Sequence, residues 1–174
     1  MPLLKPDYYI QNFKTIDLSR LKAKGIRLLL CDIDNTLTAF DSSSADLDVQ
    51  KFIRDVEEAG IQVALMSNNV AKRTDDFAKN NGVKKVYSFS LKPFPFTFKK
   101  AMKQYKTTPD QTAIIGDQLF TDILGGNLSG LYTILSAPIS ERERPDTAIM
   151  RALENAVYWY YNKKNIFKRG DFDE

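Results

Sequence analysis

The sequence predicts a three-layer α/β domain built on a five-stranded parallel sheet. Three observations predict it. Short apolar runs alternate along the chain with stretches of helical spacing, as parallel sheets covered on both faces require. Most of the helical stretches end on glycine or stand next to proline. The 174 residues carry 43% hydrophobic and 27% charged residues, an ordinary composition for one globular domain with a proper core.

The elements follow in order. Ile26 to Cys31 reads as a buried strand. Ala45 to Ala59 has Leu47, Phe52, Ile53 and Val56 at helical spacing, and Gly60 stops it. Ile61 to Met66 is the second strand, and Ala71 to Asn81 a helix ended by Gly82. Lys85 to Phe89 is a short third strand. Phe96 to Tyr105 is a helix entered after Pro93 and Pro95. Thr112 to Ile115 is the fourth strand, Leu119 to Leu128 a helix, and Leu131 to Leu135 the fifth strand. Pro145 to Lys163 closes the chain as a helix with Ile149, Leu153, Ala156, Val157 and Tyr160 on one face. The last dozen residues, KKNIFKRGDFDE, read as a frayed tail, and PDYYIQNF (Pro6 to Phe13) as a segment packed on the sheet. The whole of 1–174 is thus one domain, with a core over about 26–136 and a helix and tail over 137–174.

Composition narrows the chemistry. There is no histidine, which removes Ser-His-Asp and Cys-His catalysis and histidine metal sites. Cys31 is the one cysteine, so the chain forms neither an internal disulfide nor a cysteine zinc site, in keeping with a reducing compartment. The net charge of +3 singles out no partner. No apolar run reaches the roughly 20 residues that span a bilayer, and MPLLKPDYYIQNF is too polar for a signal peptide. The expected location is the cytoplasm, with contact at a membrane surface as the further option.

Right-handed crossovers bring the C-terminal ends of all strands to one edge, where ligands bind. Past the first strand come Asp32, Asp34 and Thr36; past the second, Ser67, Asn68 and Asn69; past the third, Lys92; past the fourth, Asp117, Thr121 and Asp122. Clustered carboxylates repel, and a hard divalent cation with oxygen ligands, Mg²⁺, resolves the repulsion. Asp32 and Asp117 are the natural ligands, with Asp122 assisting. A carboxylate beside that ion and a lysine can attack phosphorus and form an aspartyl-phosphate. Lys92 and Ser67 can bind the phosphoryl oxygens, with Thr36 and Asn68 as further substrate contacts. Asp34 is then the general acid and later the base.

Other readings of the same residues fare worse. As a calcium loop, DIDNTLTAFDSS has Leu37 where glycine is needed and Ser43 where a glutamate is needed. Cys31 lacks the arginine of a cysteine phosphatase and reads as a core thiol. Gly125 to Asn127 fall late in a helix and read as a packing site. The segment from Val157 to Arg169 mixes aromatic and basic residues. A membrane patch or a nucleic-acid surface would suit that mixture, but a closing helix with a solvated basic end is favoured, and nucleic acid is not expected as a partner.

DIDNT, Ser67, Lys92 and GDQLFTD resemble, in order and spacing, the four motifs of the haloacid dehalogenase (HAD) superfamily, over Ile26 to Leu135. The resemblance implies a Rossmann-like HAD fold, with Asp32 as nucleophile, Asp34 as the acid found in phosphatases, and Mg²⁺ bound in part through the Asp34 backbone carbonyl. DIDNTL, SNN, KPFP, GDQLFTDILGGN and the approach segment IDLSRLKAKGIRLLL resemble more closely the YqeG-type phosphatases of subfamily IIIA, which are similar to mitochondrial phosphatases acting on phosphatidylglycerophosphate. Leu128 departs from that pattern, where a basic residue often follows GGN. The gaps Leu37 to Met66 and Val70 to Leu91 are too short for a cap domain, so the site is expected to be open, with Thr38 to Asp46 as a mobile flap. A phosphorylated substrate follows from the resemblance, with a lipid head group favoured. A soluble phosphatase acting on a nucleotide, sugar phosphate or phosphoprotein and a non-catalytic HAD-fold binding protein are the alternatives. Oligomeric state is not legible in the sequence.

Overall fold

A computed structural model describes residues 2–42, 44–140 and 148–173, without the side chains of 148 and 149. The strands are β1 (Tyr8–Ile10), β2 (Leu28–Cys31), β3 (Gln62–Met66), β4 (Val86–Tyr87), β5 (Thr112–Gly116) and β6 (Tyr132–Ser136). The helices are α1 (Leu18–Ala23), α2 (Leu47–Glu58), α3 (Ala71–Asn81), α4 (Phe96–Tyr105), α5 (Leu124–Leu128) and α6 (Ala148–Lys163). The strands form one parallel sheet in the order β1-β6-β5-β2-β3-β4.

Successive residues of β2 serve opposite faces, as the two-residue period of a strand demands. Leu29 and Cys31 join a cluster with Val49, Phe52, Val56 and Phe77 of α2 and α3, while Leu28 and Leu30 join Phe98, Ala101 and Met102 of α4. α2 is capped by Asp46, whose carboxylate accepts the Asp48 and Val49 amides. Among the described residues only α2 lies between β2 and β3, and only α3 between β3 and β4, so neither connection holds a cap domain.

Among the described residues the sheet has six strands, one more than expected. The sixth is Tyr8–Ile10 at the edge, three buried residues paired with β6 and read from sequence as a segment merely packed on the sheet. It is too short to show a strand period. Asp7 fixes it by accepting both the amide and the hydroxyl of Thr133.

The tail is not frayed. The Asp173 carboxylate accepts the Tyr9 amide and the Asp173 amide donates to the Tyr9 carbonyl, while Phe167 and Phe172 pack on the Tyr9 ring. This covers an otherwise open edge strand.

Two helices also differ from expectation. Leu119–Ile123 forms a π-helical turn before α5, with Gln118 accepting from both the Asp122 and Ile123 amides. In α6, the expected start at Pro145 and the side chain of Ile149 lie outside the described residues. Its buried face is rotated by about one position from the predicted one: Glu154, Val157, Tyr158 and Tyr161 face inward, and Leu153, Trp159 and Tyr160 are exposed. The rotation follows from Glu154, whose carboxylate accepts the Leu119 amide at 2.6 Å.

Candidate active site

The register of the central strands sets the site. Cys31 lies level with Ile115 and Leu65, so Asp32, Asp117 and Ser67 leave their strands as neighbours. Asp32 still belongs to the ladder, donating its amide to the Ile115 carbonyl. The chain then turns at Asn35, in the left-handed region at φ 59°, which asparagine tolerates well. The Thr36, Leu37 and Thr38 amides all converge on the Ile33 carbonyl. This turn carries Asp34 outward while Asp32 stays buried.

Asp32, Asp117 and Asp122 are all buried, and one carboxylate oxygen from each lies within 4.8 Å of the others. The π-helical turn brings Asp122 in. Gly116 makes room for it, since a Cβ there would fall on the Asp122 carboxyl group. The Lys92 ammonium bridges two of the acids, 2.6 Å from Asp32 and 2.6 Å from Asp122, and also donates to the Met66 carbonyl at 2.9 Å. Arg151 of α6 pairs with the third, donating to both the Asp117 carboxylate and its carbonyl, and is braced by Glu154 at 2.8 Å.

The electrostatics follow from burial. Desolvation, with repulsion from Asp122 and Asp117, holds the Asp32 carboxyl well above its usual range in spite of Lys92. Burial likewise pushes Asp117 up to about 7 against the pull of Arg151. Burial works against the Lys92 charge, yet Asp122 and Asp32 outweigh it and keep the ammonium above the usual lysine range. Three acids thus share two cations and remain under-neutralised. Such a set of buried oxygen donors can hold a divalent metal ion.

Asp32, Lys92 and Arg151 border a cleft of about 230 Å³, lined also by Asp34, Ser67 and Gln118 among others. Asp34 stands at its rim. Its carboxylate is held by Arg73 at 2.5 Å and 3.0 Å and by the Asn69 amide group at 3.2 Å. The Ser67 hydroxyl accepts the Asn69 amide.

Two of the expected substrate contacts also hold the site together. Thr36 is fully buried behind the cleft, with its hydroxyl 3.3 Å from both Asp32 and Asp117. Asn68 lines the cleft, but its side chain is committed to the loop carrying Lys92. It accepts the Lys92 amide and the Ser90 hydroxyl at 2.8 Å and donates to the Lys92 carbonyl at 3.0 Å. Thr121 lies at the cleft wall, its hydroxyl near Gln118 and Asp122.

Arg73, Arg151 and Glu154 were missed by reading strand ends, because all three stand on helices. Leu128 ends α5 at the opposite edge of the sheet, where the chain re-enters β6, so the departure there does not touch the site. Cys31 is buried, and burial together with Asp32 pushes its thiol up, as for an inert core cysteine.

A parallel sheet with an aspartate pair after its central strand, a buried lysine from a neighbouring loop and two further acids after the next strand defines a HAD-type phosphatase. The chain belongs to the mitochondrial PGP phosphatase family, whose model matches residues 2–140. It is 31% identical over 152 residues to the Bacillus subtilis protein named "probable phosphatase YqeG", covering 87% of this chain and 88% of that one. It is 28% identical over 170 residues to phosphatidylglycerophosphate phosphatase 1 of Arabidopsis thaliana, covering 92% of this chain and 49% of the relative. Among solved structures, the cobalt-bound deoxy-D-mannose-octulosonate 8-phosphate phosphatase of Haemophilus influenzae superposes with a TM-score of 0.54 at 22% identity, over 84% of this chain and 95% of that one. The 3-deoxy-D-manno-octulosonate 8-phosphate phosphatase of Yersinia pestis gives 0.53 at 22% identity, over 68% and 66%. These two likenesses concern the fold. No helix among the described residues is long and apolar enough to cross a membrane.

Proposed function

We propose that the chain hydrolyses a phosphomonoester through a phosphoryl group carried on Asp32, and that the ester is the head-group phosphate of phosphatidylglycerophosphate. One observation carries the chemistry: a buried carboxylate at the cleft wall, Asp32, lies 2.6 Å from a buried ammonium, Lys92. An aspartate so placed is a nucleophile for phosphorus beside a fixed positive charge for the phosphoryl oxygens.

In the first half-reaction an Asp32 oxygen bonds to phosphorus and the ester P–O bond breaks. Asp34 gives its proton to the departing alcohol oxygen. In the second half-reaction Asp34 takes a proton from water, whose oxygen bonds to phosphorus, and the bond to Asp32 breaks to free phosphate. Lys92 and Ser67 hold the phosphoryl oxygens throughout, and Asn68 and Thr36 hold Lys92 and Asp32 in place.

Asp32, Asp117 and Asp122 would hold a Mg²⁺ ion, with the Asp34 carbonyl as the further ligand that the family pattern implies. All are oxygen donors, and their excess negative charge in a buried site suits a hard dication. When bound, that ion supplies charge neutralisation at the phosphoryl oxygens.

The lipid assignment is supported by the family description and by the name of the Arabidopsis relative. It is also supported by a cleft without a cap domain, since a head group anchored in a bilayer needs open access. Phosphate release from phosphatidylglycerophosphate in vesicles, with and without Mg²⁺, tests it against a panel of nucleotides, sugar phosphates and phosphopeptides. Mg²⁺-dependent release from the lipid well above the panel is expected. Preference for a soluble ester overturns the lipid assignment, and release undiminished by chelator overturns the metal.

A further inference from the structure

We propose that the loop Phe89–Phe96 is a docking surface that seats the cleft on an anionic lipid bilayer. The proposal rests on the lipid reading above and supplies the route by which the cleft reaches such a substrate.

The loop sorts its side chains. Ser90 and Lys92 turn inward and are buried, whereas Phe89, Leu91, Phe94 and Phe96 are 58%, 63%, 60% and 75% exposed. Single exposed apolar residues are ordinary, but four large ones in eight residues beside a binding cleft mark an interaction surface. The loop holds them out on a fixed frame. Phe89 and Leu91 adopt φ values of 46° and 55°, a left-handed backbone that bulky residues rarely take. The frame is pinned by the Phe89 amide on the Asn69 carbonyl, the Ser90 amide on the Ser67 carbonyl and the Asn68 side chain on Lys92. Strain of this kind persists where the surroundings enforce it, and it collects at functional segments.

Charge selects the occupant. From Phe77 to Pro109 the chain has no acidic residue. Lys99 and Lys100 follow the loop on the first turns of α4, and both are exposed. Aromatic tips backed by lysines match a bilayer interface with anionic head groups, where the rings enter the acyl boundary and the ammonium groups meet phosphates. The same loop carries Lys92, so its insertion would bring the cleft to the head-group level. The other exposed aromatics, Trp159 and Tyr160 of α6, stand on the β1 side of the molecule, at the far end of the strand order from β4.

The test is co-sedimentation of the full chain with phosphatidylcholine vesicles, with and without phosphatidylglycerol, at low and high salt. The double variants Phe94→Ser/Phe96→Ser and Trp159→Ser/Tyr160→Ser are compared with wild type. Hydrolysis of a small soluble phosphate ester and gel-filtration elution are read on the same samples. Wild type and the Trp159 pair are expected to bind the anionic vesicles, less so at high salt. The Phe94 pair should bind roughly tenfold or more weakly, with soluble-ester hydrolysis and elution unchanged. The proposal is overturned if wild type fails to bind at low salt, if the Phe94 pair binds as wild type, or if the Trp159 pair loses binding instead. It is equally overturned if the Phe94 pair loses soluble-ester hydrolysis, which would make the loop a support for Lys92. A change in its elution would make the surface a contact between copies. With phosphatidylglycerophosphate added to the same vesicles, wild type that binds them without releasing phosphate from that lipid removes the lipid substrate and leaves the docking surface standing; release of phosphate from detergent-dispersed phosphatidylglycerophosphate without vesicle binding does the reverse.

Discussion

Arg73, in the first turns of α3, closes on Asp34 with two nitrogens, at 2.5 Å and 3.0 Å from one carboxylate oxygen, and reaches the Ala39 carbonyl at 3.3 Å. One guanidinium therefore ties the proposed proton carrier to the loop that follows it. Arg73→Ala is expected to lower kcat roughly tenfold to a hundredfold with little change in KM, since a charge-assisted contact of this kind contributes about 1.5–3 kcal/mol. Arg73→Lys should rescue little, because a point ammonium cannot span both acceptors. Steady-state kinetics on a soluble ester decides it. Wild-type kcat in Arg73→Ala would mean that Asp34 needs no such holder.

Asn68 lines the cleft and also holds the Lys92 loop. Asn68→Ala removes three hydrogen bonds and leaves the Lys92 amide to find another partner. Loss of about 1–3 kcal/mol of stability is expected, with a fall in kcat larger than any rise in KM. A raised KM with kcat intact would make Asn68 chiefly a substrate contact. Denaturant melts and kinetics on one variant read both quantities.

Gly116→Ala tests the acid cluster from behind. A methyl there meets the Asp122 carboxyl group, so Asp122 must shift. The variant should bind Mg²⁺ at least several-fold more weakly than wild type while retaining a folded circular-dichroism spectrum. Unchanged affinity by calorimetry would take Asp122 out of the metal site.

Without metal the acids penalise the fold at high pH. Asp117 titrates at about 7 in the folded chain and near 3.9 when unfolded. Between these values the folded chain holds the extra proton, so stability falls as pH rises. The contribution is fully present below about pH 4 and lost by about pH 7, on the order of 4 kcal/mol, with Asp32 acting in the same direction. Mg²⁺ binds the deprotonated acids and should return the loss. Thermal melts in chelator should therefore give a lower Tm at about pH 8 than at about pH 5, and added Mg²⁺ should raise the former more. Equal melts in chelator, or no effect of Mg²⁺, would contradict this picture.

What the sequence made legible is what strand geometry dictates. The apolar run before Asp32 marks the central strand, and residues just past strand ends must share one edge, which is why Asp32, Lys92, Asp117 and Asp122 could be grouped without coordinates. The edge strand Tyr8–Ile10 escaped because three residues show no period, and the π-helical turn because it follows from the demand that Asp122 reach the cluster, not from local propensity. Arg73 and Arg151 escaped for a different reason. Each meets its aspartate across more than thirty residues of chain and from a helix, so no spacing rule announces the pair. A charge count does leave a trace: three buried acids against one lysine ask for another cation.

The central claim is that the phosphoryl group passes through Asp32. Rapid acid quenching of Asp34→Asn turning over an aryl phosphate, followed by peptide mapping by mass spectrometry, tests it directly, because a phenolate leaves without the acid while loss of the base should let the covalent intermediate accumulate. The phosphoryl group is predicted on Asp32, in the peptide that spans β2. Phosphate release without any phosphorylated peptide, or a phosphoryl group on another residue, would contradict the mechanism.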